Sequence, residues 1–298
     1  MKPATFEYHR PSSVSEATEL LADLGHDAEL LAGNQSLGII MANRLATPDH
    51  LVDINRVDEL SGVSIDDDEV EVGAMTTHRD LEFADDLRDV VPMLPQYAEQ
   101  IAGPSVRNRG TLGGSVAEAD PAGNYPAALV ALDADLHIVS EDDGERTVPA
   151  RDFFIAYMFT DLGPEELVTG VSVSREPFPV ERTGMAFESL KRAAQTFPTV
   201  SAATAVRVDD PDAADPEIEE ARVALANVAD VPLHVPDAEA AVEGTTLDED
   251  ALDEAEAAAN DAADPSPEMH ADEEWKVELA GEYTRRSLQA AHKRATND

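Results

Sequence analysis

Two short stretches of this chain combine residue types that could hold an anion. They are Ala32-Gly33-Asn34-Gln35-Ser36 and Thr111-Leu112-Gly113-Gly114-Ser115. Each places small residues where the chain must turn sharply into an apolar helix. A turn of this kind leaves backbone N–H groups without partners at the helix start, and their dipoles together favour a negative charge. Gly33 allows close approach of the backbone, Ser36 can add a hydroxyl, and the second stretch offers a second set of donors. Either stretch alone reads more readily as an ordinary structural turn. Together they are expected to close on one diphosphate.

Other chemistry is thinly represented. His9, His26, His50, His78, His137, His234, His270 and His292 show no i, i+4 pairing, so they read as scattered surface or capping residues and no metal site is expected. Arg107 and Arg109 could touch phosphate or pair with nearby acid. Asp120 could bind a ribose or serve as a turn residue before Pro121. Phe197, in "QTFPTV", reads as core rather than as a ring-stacking residue. No Ser/His/Asp triad or paired-carboxylate site is discernible, so no catalytic residue is assigned. The chain has no cysteine, which excludes disulfides, thiolate zinc sites and cysteine-ligated iron–sulfur clusters within it.

The elements that must position the two turns follow from periodicity. Ser13-x-x-Glu16 forms a capping-box pattern ahead of Val14, Ala17, Leu20, Leu21 and Leu24, with Gly25 as the stop. "AELLA" (28–32) reads as a strand running into Gly33, with "GIIMANRL" as the following helix. "HLVDI" and "EVEVGAM" read as strands, and Thr77-x-x-Asp80 caps another helix. "YPAALVAL" reads as a helix, "DLHIVSEDDGERTVPA" as a hairpin turning near Asp143-Gly144, and "ELVTGVSVS" as a strand. Pro177 and Pro179 then mark a domain boundary. Beyond it come the strands "GMAFESL", "TVSAATAVRV" and "ARVALANV", and alanine- and acid-rich helices from about Leu247 to His292. The fold class is α+β, in two domains.

Composition bounds the rest. The 298 residues include 62 acidic and 21 basic ones, a formal net charge of -41 that is spread along the whole chain. Such a chain repels itself, and salt screens the repulsion, which reads as adaptation to a salt-rich cytoplasm. Nucleic acid is an unexpected partner for so acidic a surface. "MKPATFEYHRP" lacks the apolar core of a signal peptide, and no run is long enough to span a membrane. The protein is expected to be soluble and cytoplasmic.

The order and spacing of the two turns carry a family resemblance. "AGNQS", a helix and "TPDHLVDIN" are similar to A-G-G-x-S followed by R-P-E-H-L-V-D-I-N. "VRNRGTLGGSVAEADP" is similar to V-R-N-R-G-T-I-G-G-S followed by A-D-P. The match continues through "FFIAYMFTDLGPEELV" and "FESLKRAA" and covers nearly the whole chain. On these residues the sequence resembles the FAD-binding medium subunit of the molybdenum hydroxylases, as in carbon monoxide dehydrogenase and the flavin portion of xanthine dehydrogenase.

The resemblance implies an FAD-binding domain over 1–177, of the p-cresol methylhydroxylase type. Its two subdomains would span about 1–56 and 57–177, with a C-terminal domain over 183–292. It implies non-covalent FAD, its pyrophosphate held by Ala32, Gly33, Asn34, Gln35 and Ser36 and by Thr111, Leu112, Gly113, Gly114 and Ser115. Asn124 would hold a ribose hydroxyl and Leu162 would pack near the ring system. Three positions depart from the family pattern. Asn34 replaces a glycine, yet asparagine visits positive φ readily. Asn124 replaces an aspartate, and its amide oxygen can still accept a hydroxyl hydrogen bond. Ser189 stands where many members have lysine; Lys191, on the same face of a strand and beyond Phe187, could substitute.

The function so implied is electron transfer. An iron–sulfur subunit would deliver electrons that a large molybdenum-cofactor subunit takes from substrate, and this subunit would pass them to NAD, a quinone or another acceptor. A free-standing flavin oxidoreductase and a scaffold that has lost FAD are the alternatives. Dependence on partners and flavin content respectively discriminate them.

Overall fold

The computed structural model describes residues 2–296. The chain begins with β1 (Glu7–His9), α1 (Val14–Leu24), β2 (Ala28–Leu31), α2 (Leu37–Ala42) and β3 (His50–Asp53). These strands form a parallel sheet in the order β1-β3-β2. Parallel neighbours need crossovers, and the two helices supply them. The Ser13 hydroxyl accepts the N–H of Glu16, and Gly25 closes α1 at φ 54° by donating its N–H to the Leu21 carbonyl. The capping box is displaced by one residue, because the Glu16 carboxylate accepts the N–H of Ser12 instead of Ser13. Helix α1 buries Ala17 and Leu21 in one core with Val52, Ile54, Leu60, Met75 and Leu167. It is the wedge between the first sheet and the next.

The next unit contains β4 (Val63–Ile65), β5 (Glu69–Gly73), α3 (His78–Glu82), α4 (Asp85–Val90), α5 (Met93–Gln100), α6 (Pro104–Arg107), α7 (Leu112–Glu118) and α8 (Asn124–Ala131). It continues through β6 (Asp135–Ser140), β7 (Gly144–Pro149), α9 (Ala150–Phe153), β8 (Phe154–Ala156), β9 (Phe159–Thr160) and β10 (Leu167–Ser174). Five strands pair antiparallel in the order β4-β5-β10-β6-β7. Alternate residues of β5 and β6, among them Val70, Val72, Leu136 and Ile138, join the largest core with the faces of α5, α7 and α8. Thr77 caps α3 through the reciprocal bonds expected of a capping box with Asp80.

After Ser174 the chain passes through Pro177 and Pro179 to β11 (Thr183–Lys191), β12 (Pro198–Val208), β13 (Ile218–Ala226), β14 (Leu233–His234), α10 (Pro236–Val242), α11 (Glu249–Ala262) and α12 (Glu273–Ala295). The four strands form an antiparallel sheet in sequence order. Both faces of β12 are buried. Val200, Ala202, Val206 and Val208 join the core of α10, α11 and α12, whereas Ala203 and Ala205 join the core of the preceding unit together with Met185, Phe187 and Ala224. Alanines here let α8 approach the sheet closely. The proline segment therefore separates two units that share a core. Among the described residues no helix is long and apolar enough to cross a membrane.

Candidate functional site

The first turn begins where β2 leaves its sheet. Asn55, just past β3, donates its side-chain N–H to the carbonyls of Ala32 (2.8 Å) and Leu31 (3.2 Å), which fixes the exit of the strand. Gly33 is buried, and a Cβ placed there would fall 2.3 Å from the Arg109 carbonyl oxygen. Asn34 has φ 59°, the left-handed conformation that its replacement of glycine requires. Its side-chain amide lies over the start of α2; a Cβ on Gly38 would fall 2.5 Å from its Oδ1. Gln35 donates its side-chain N–H to the Gly33 carbonyl (2.6 Å), and Ser36 forms the N-cap of α2. Among the described residues, the backbone N–H groups of Gly33, Asn34, Gln35 and Ser36 have no acceptor. Four adjacent donors are left for an external anion.

The second turn is built the opposite way. Thr111 caps α7 by accepting the Gly114 N–H on its hydroxyl (3.1 Å). The Leu112 N–H donates to the Thr76 carbonyl (3.0 Å), Gly113 to Ala74 (2.8 Å) and Ser115 to Thr111 (3.1 Å). The expectation of a second set of vacant amides is therefore corrected. These amides are spent on the strand exit after β5, which the side-chain-free face of Gly113 lets approach. A Cβ on Gly113 would meet the Ala74 Cβ at 2.6 Å. What the second turn contributes is support, since Arg109 and Gly110 lie directly on Gly33. A Cβ on Gly114 would also sit 3.7 Å from that of Ala32. At the far end of α7, burial raises the Glu118 carboxyl above its ordinary range, and the Ser36 hydroxyl partly offsets that rise. The two stretches, far apart in sequence, make one site.

Around this junction lies a polar cavity of about 190 Å³, lined by Asn55, Asp58, Asp80, Asn108, Arg109 and Thr111 among others. Sequence reasoning missed Asn55, Asp58 and Asn108. The "VDIN" and "VRN" segments contain Asn55 and Asn108, and Asp58 lies three residues beyond the first of them.

The remaining expected residues divide into those that approach this region and those that do not. Asn124, at the start of α8, is buried and donates its amide to the Tyr97 carbonyl (3.3 Å). Its α8 follows α7 through a turn in which Asp120 accepts the N–H of Ala122 (2.9 Å), so Asp120 acts as a turn residue. Ser189 donates its hydroxyl to the Gln100 side chain (3.0 Å), and Lys191 donates its ammonium to the Gln100 carbonyl. Both therefore lie on one face, although the ladder shifts register between Leu190 and Lys191. Burial, with the nearby Arg107 charge second, lowers the Lys191 pKa from its usual value. Leu162 lies in the β9–β10 loop against the large core, outside the hydrogen bonds that join the turns.

Arg107 pairs with Glu82 (2.8 Å) and donates to the Ile101 and Ala102 carbonyls, which decides between its two readings in favour of the ion pair. Arg109 remains exposed. Phe187 is buried and stacks on Tyr97 with ring centroids 3.8 Å apart. Phe197 is 64% exposed in the loop between β11 and β12, so its assignment to the core is corrected. Two histidine readings change as well. His78 is buried beneath Gly110, and burial, with the Arg107 charge second, lowers its pKa to about 4. His9 and His50 meet across the parallel sheet, with their ring nitrogens 3.1 Å apart.

Residues 4–175 match the family described as the FAD binding domain in molybdopterin dehydrogenase, and residues 185–291 match the CO dehydrogenase flavoprotein C-terminal domain. The chain is 37% identical over 297 residues to the carbon monoxide dehydrogenase medium chain of Afipia carboxidovorans, covering 100% of each. It is 32% identical to the 6-hydroxypseudooxynicotine dehydrogenase complex subunit alpha of Paenarthrobacter nicotinovorans, covering 99% of this chain and 97% of that one. Its fold superimposes on a chain in the structure of carbon monoxide dehydrogenase from Hydrogenophaga pseudoflava with a TM-score of 0.93 and 38% identity, covering 99% of each.

Proposed function

This chain belongs to the FAD-binding medium subunits of the molybdenum hydroxylases, and from that membership we propose how it works within an oxidoreductase complex. It binds FAD and receives electrons from an iron–sulfur subunit, which a large molybdenum-cofactor subunit supplies. It passes them to an external acceptor such as NAD or a quinone. The bound flavin supplies the exchange between single-electron and two-electron transfer.

The vacant amides of Gly33, Asn34, Gln35 and Ser36 are the observation that carries the reading, because they fit a diphosphate and nothing in the fold uses them. Ala32 and Ser36 flank that cradle. Thr111, Leu112, Gly113, Gly114 and Ser115 hold it in place from below and close it against the cofactor. Asn124 offers its amide oxygen to a ribose hydroxyl. Leu162 supplies apolar contact to the ring system, and Lys191 places a donor where the family lysine is absent. FAD is held without a covalent bond: the chain has no cysteine, and neither turn carries a histidine to attach it.

Relatives of comparable similarity are named for carbon monoxide and for 6-hydroxypseudooxynicotine, so the medium chain does not select the substrate. That choice falls to the large subunit. The charge of -41 is the mark of a chain that works in a salt-rich cytoplasm.

The test is to purify the chain in molar KCl and titrate it with FAD. One flavin per chain, released on denaturation with its spectrum unaltered, is the expected result. Protein that stays colourless after FAD is added would leave the scaffold reading. Rapid substrate oxidation by the chain alone would favour a free-standing oxidoreductase.

A further inference from the structure

We propose that Glu7, His9 and His50 form a binding site for one zinc-class divalent metal ion at the β1 edge of the N-terminal sheet, on the face that packs against α1. Residues two apart on a strand share a face, so Glu7 and His9 both project from the same side of β1. The parallel register places His50 of β3 directly beside Glu7. Tyr8 alternates to the other side, where its hydroxyl donates to Asp53 and takes no part.

The three side chains each bring one ligand atom, and these atoms lie within 4.8 Å of one another. The His9 Nε2 and His50 Nδ1 atoms are 3.1 Å apart, and the His50 Nδ1 is 3.6 Å from a Glu7 carboxylate oxygen. A tetrahedral zinc ion with ligands at roughly 2.0–2.1 Å has ligand-to-ligand edges of about 3.3–3.5 Å. The two measured edges bracket that value, so the imidazoles need only slight adjustment, and the exposed Glu7 side chain is free to follow. Two imidazoles and a carboxylate are the nitrogen and oxygen donors that zinc, cobalt and nickel accept. Water completes the fourth position. Sequence spacing hides this set because His9 and His50 belong to different strands.

The experiment uses the full chain loaded with FAD, in molar KCl with excess Mg²⁺ to occupy weak sites on the acidic surface. Titration with Co²⁺ should give the visible absorption of a four-coordinate ion, saturating at one equivalent and abolished by Zn²⁺. His9→Ala and His50→Ala should each remove the band while flavin absorbance shows that the fold is retained. Glu7→Gln should weaken it, and His26→Ala, at an exposed histidine elsewhere, should leave it intact. The absence of a saturable band in the parent, or its survival in both histidine variants, overturns the proposal. If a histidine variant loses its flavin, the Glu7→Gln titration decides: undiminished Co²⁺ affinity there also overturns it.

Discussion

The two glycine turns look interchangeable in sequence and are opposites in structure. The first leaves its amides vacant and exposes Asn34 at φ 59°. The second spends its amides on Ala74, Thr76 and Thr111 and buries Leu112 and Gly113. A glycine can thus bring a backbone close to a ligand or close to the rest of the protein, and the residue type alone does not say which. Here the second kind of turn holds the first in position. Variants in the second should therefore cost stability first and cofactor second, whereas a variant at the exposed Asn34 of the first should cost mainly cofactor.

The largest effect should come from Gly113→Val. Its branched side chain would displace Ala74 and break the hydrogen bond from the Gly113 N–H to the Ala74 carbonyl, an overpacking and hydrogen-bond loss of about 4 kcal/mol together. Thermal melts of the FAD-free protein should show it. A variant that melts like the parent yet lacks FAD would place Gly113 against the cofactor instead and break the comparison.

An intermediate effect should follow from pH. His78 supports Gly110, and its folded pKa of about 4 lies below the ordinary 6.5 of an unfolded histidine. The folded state then binds fewer protons than the unfolded one between those values. Its stabilising contribution is full above about pH 6.5 and is lost as pH falls toward 4, by roughly 2–3 kcal/mol in all. The many carboxylates add their own slope, so the measurement is the difference between parent and His78→Gln. Melting temperatures of the two should converge as the pH falls from 7 to 4.5. Parallel curves would show that His78 already titrates normally in the fold.

The smallest effect on stability, and the most selective for flavin, belongs to Asn34. Asn34→Val puts a β-branched residue at positive φ, a strain of about 1–3 kcal/mol. FAD affinity should fall by up to about tenfold for each 1.4 kcal/mol. Asn34→Gly should keep its affinity, since glycine accepts this conformation freely. Equal affinities for the Val and Gly variants, read from FAD titrations at one salt concentration, would remove Asn34 from the cradle.

How much of this was legible beforehand depended on how local the cause was. The positive φ of Asn34, the capping box at Thr77 and the hairpin at Gly144 follow from neighbouring residues and stand as read, while at Ser13 the N-cap holds and the reciprocal bond shifts to Ser12. The fate of the Leu112 and Gly113 amides did not, because their acceptors sit on the exit of β5, more than thirty residues earlier. The meeting of His9 with His50 was hidden for the same reason, being a product of parallel pairing. Phe197 misled because its apolar side chain suggested burial, while the tip of the β11–β12 connection holds it in solvent. Helix α10 lies before the helices read from about Leu247, and it begins with Pro236, a residue well suited to a first helical turn.

The doubly buried sheet has a mechanical consequence. Ala203, Ala205 and Ala224 lie in the same core as α8, so swinging the C-terminal unit outward would tear that core open. The two units move as one frame, without a hinge. For an FAD-binding subunit of this family, the placement of the N-terminal unit against the C-terminal one is then set once, when the chain folds.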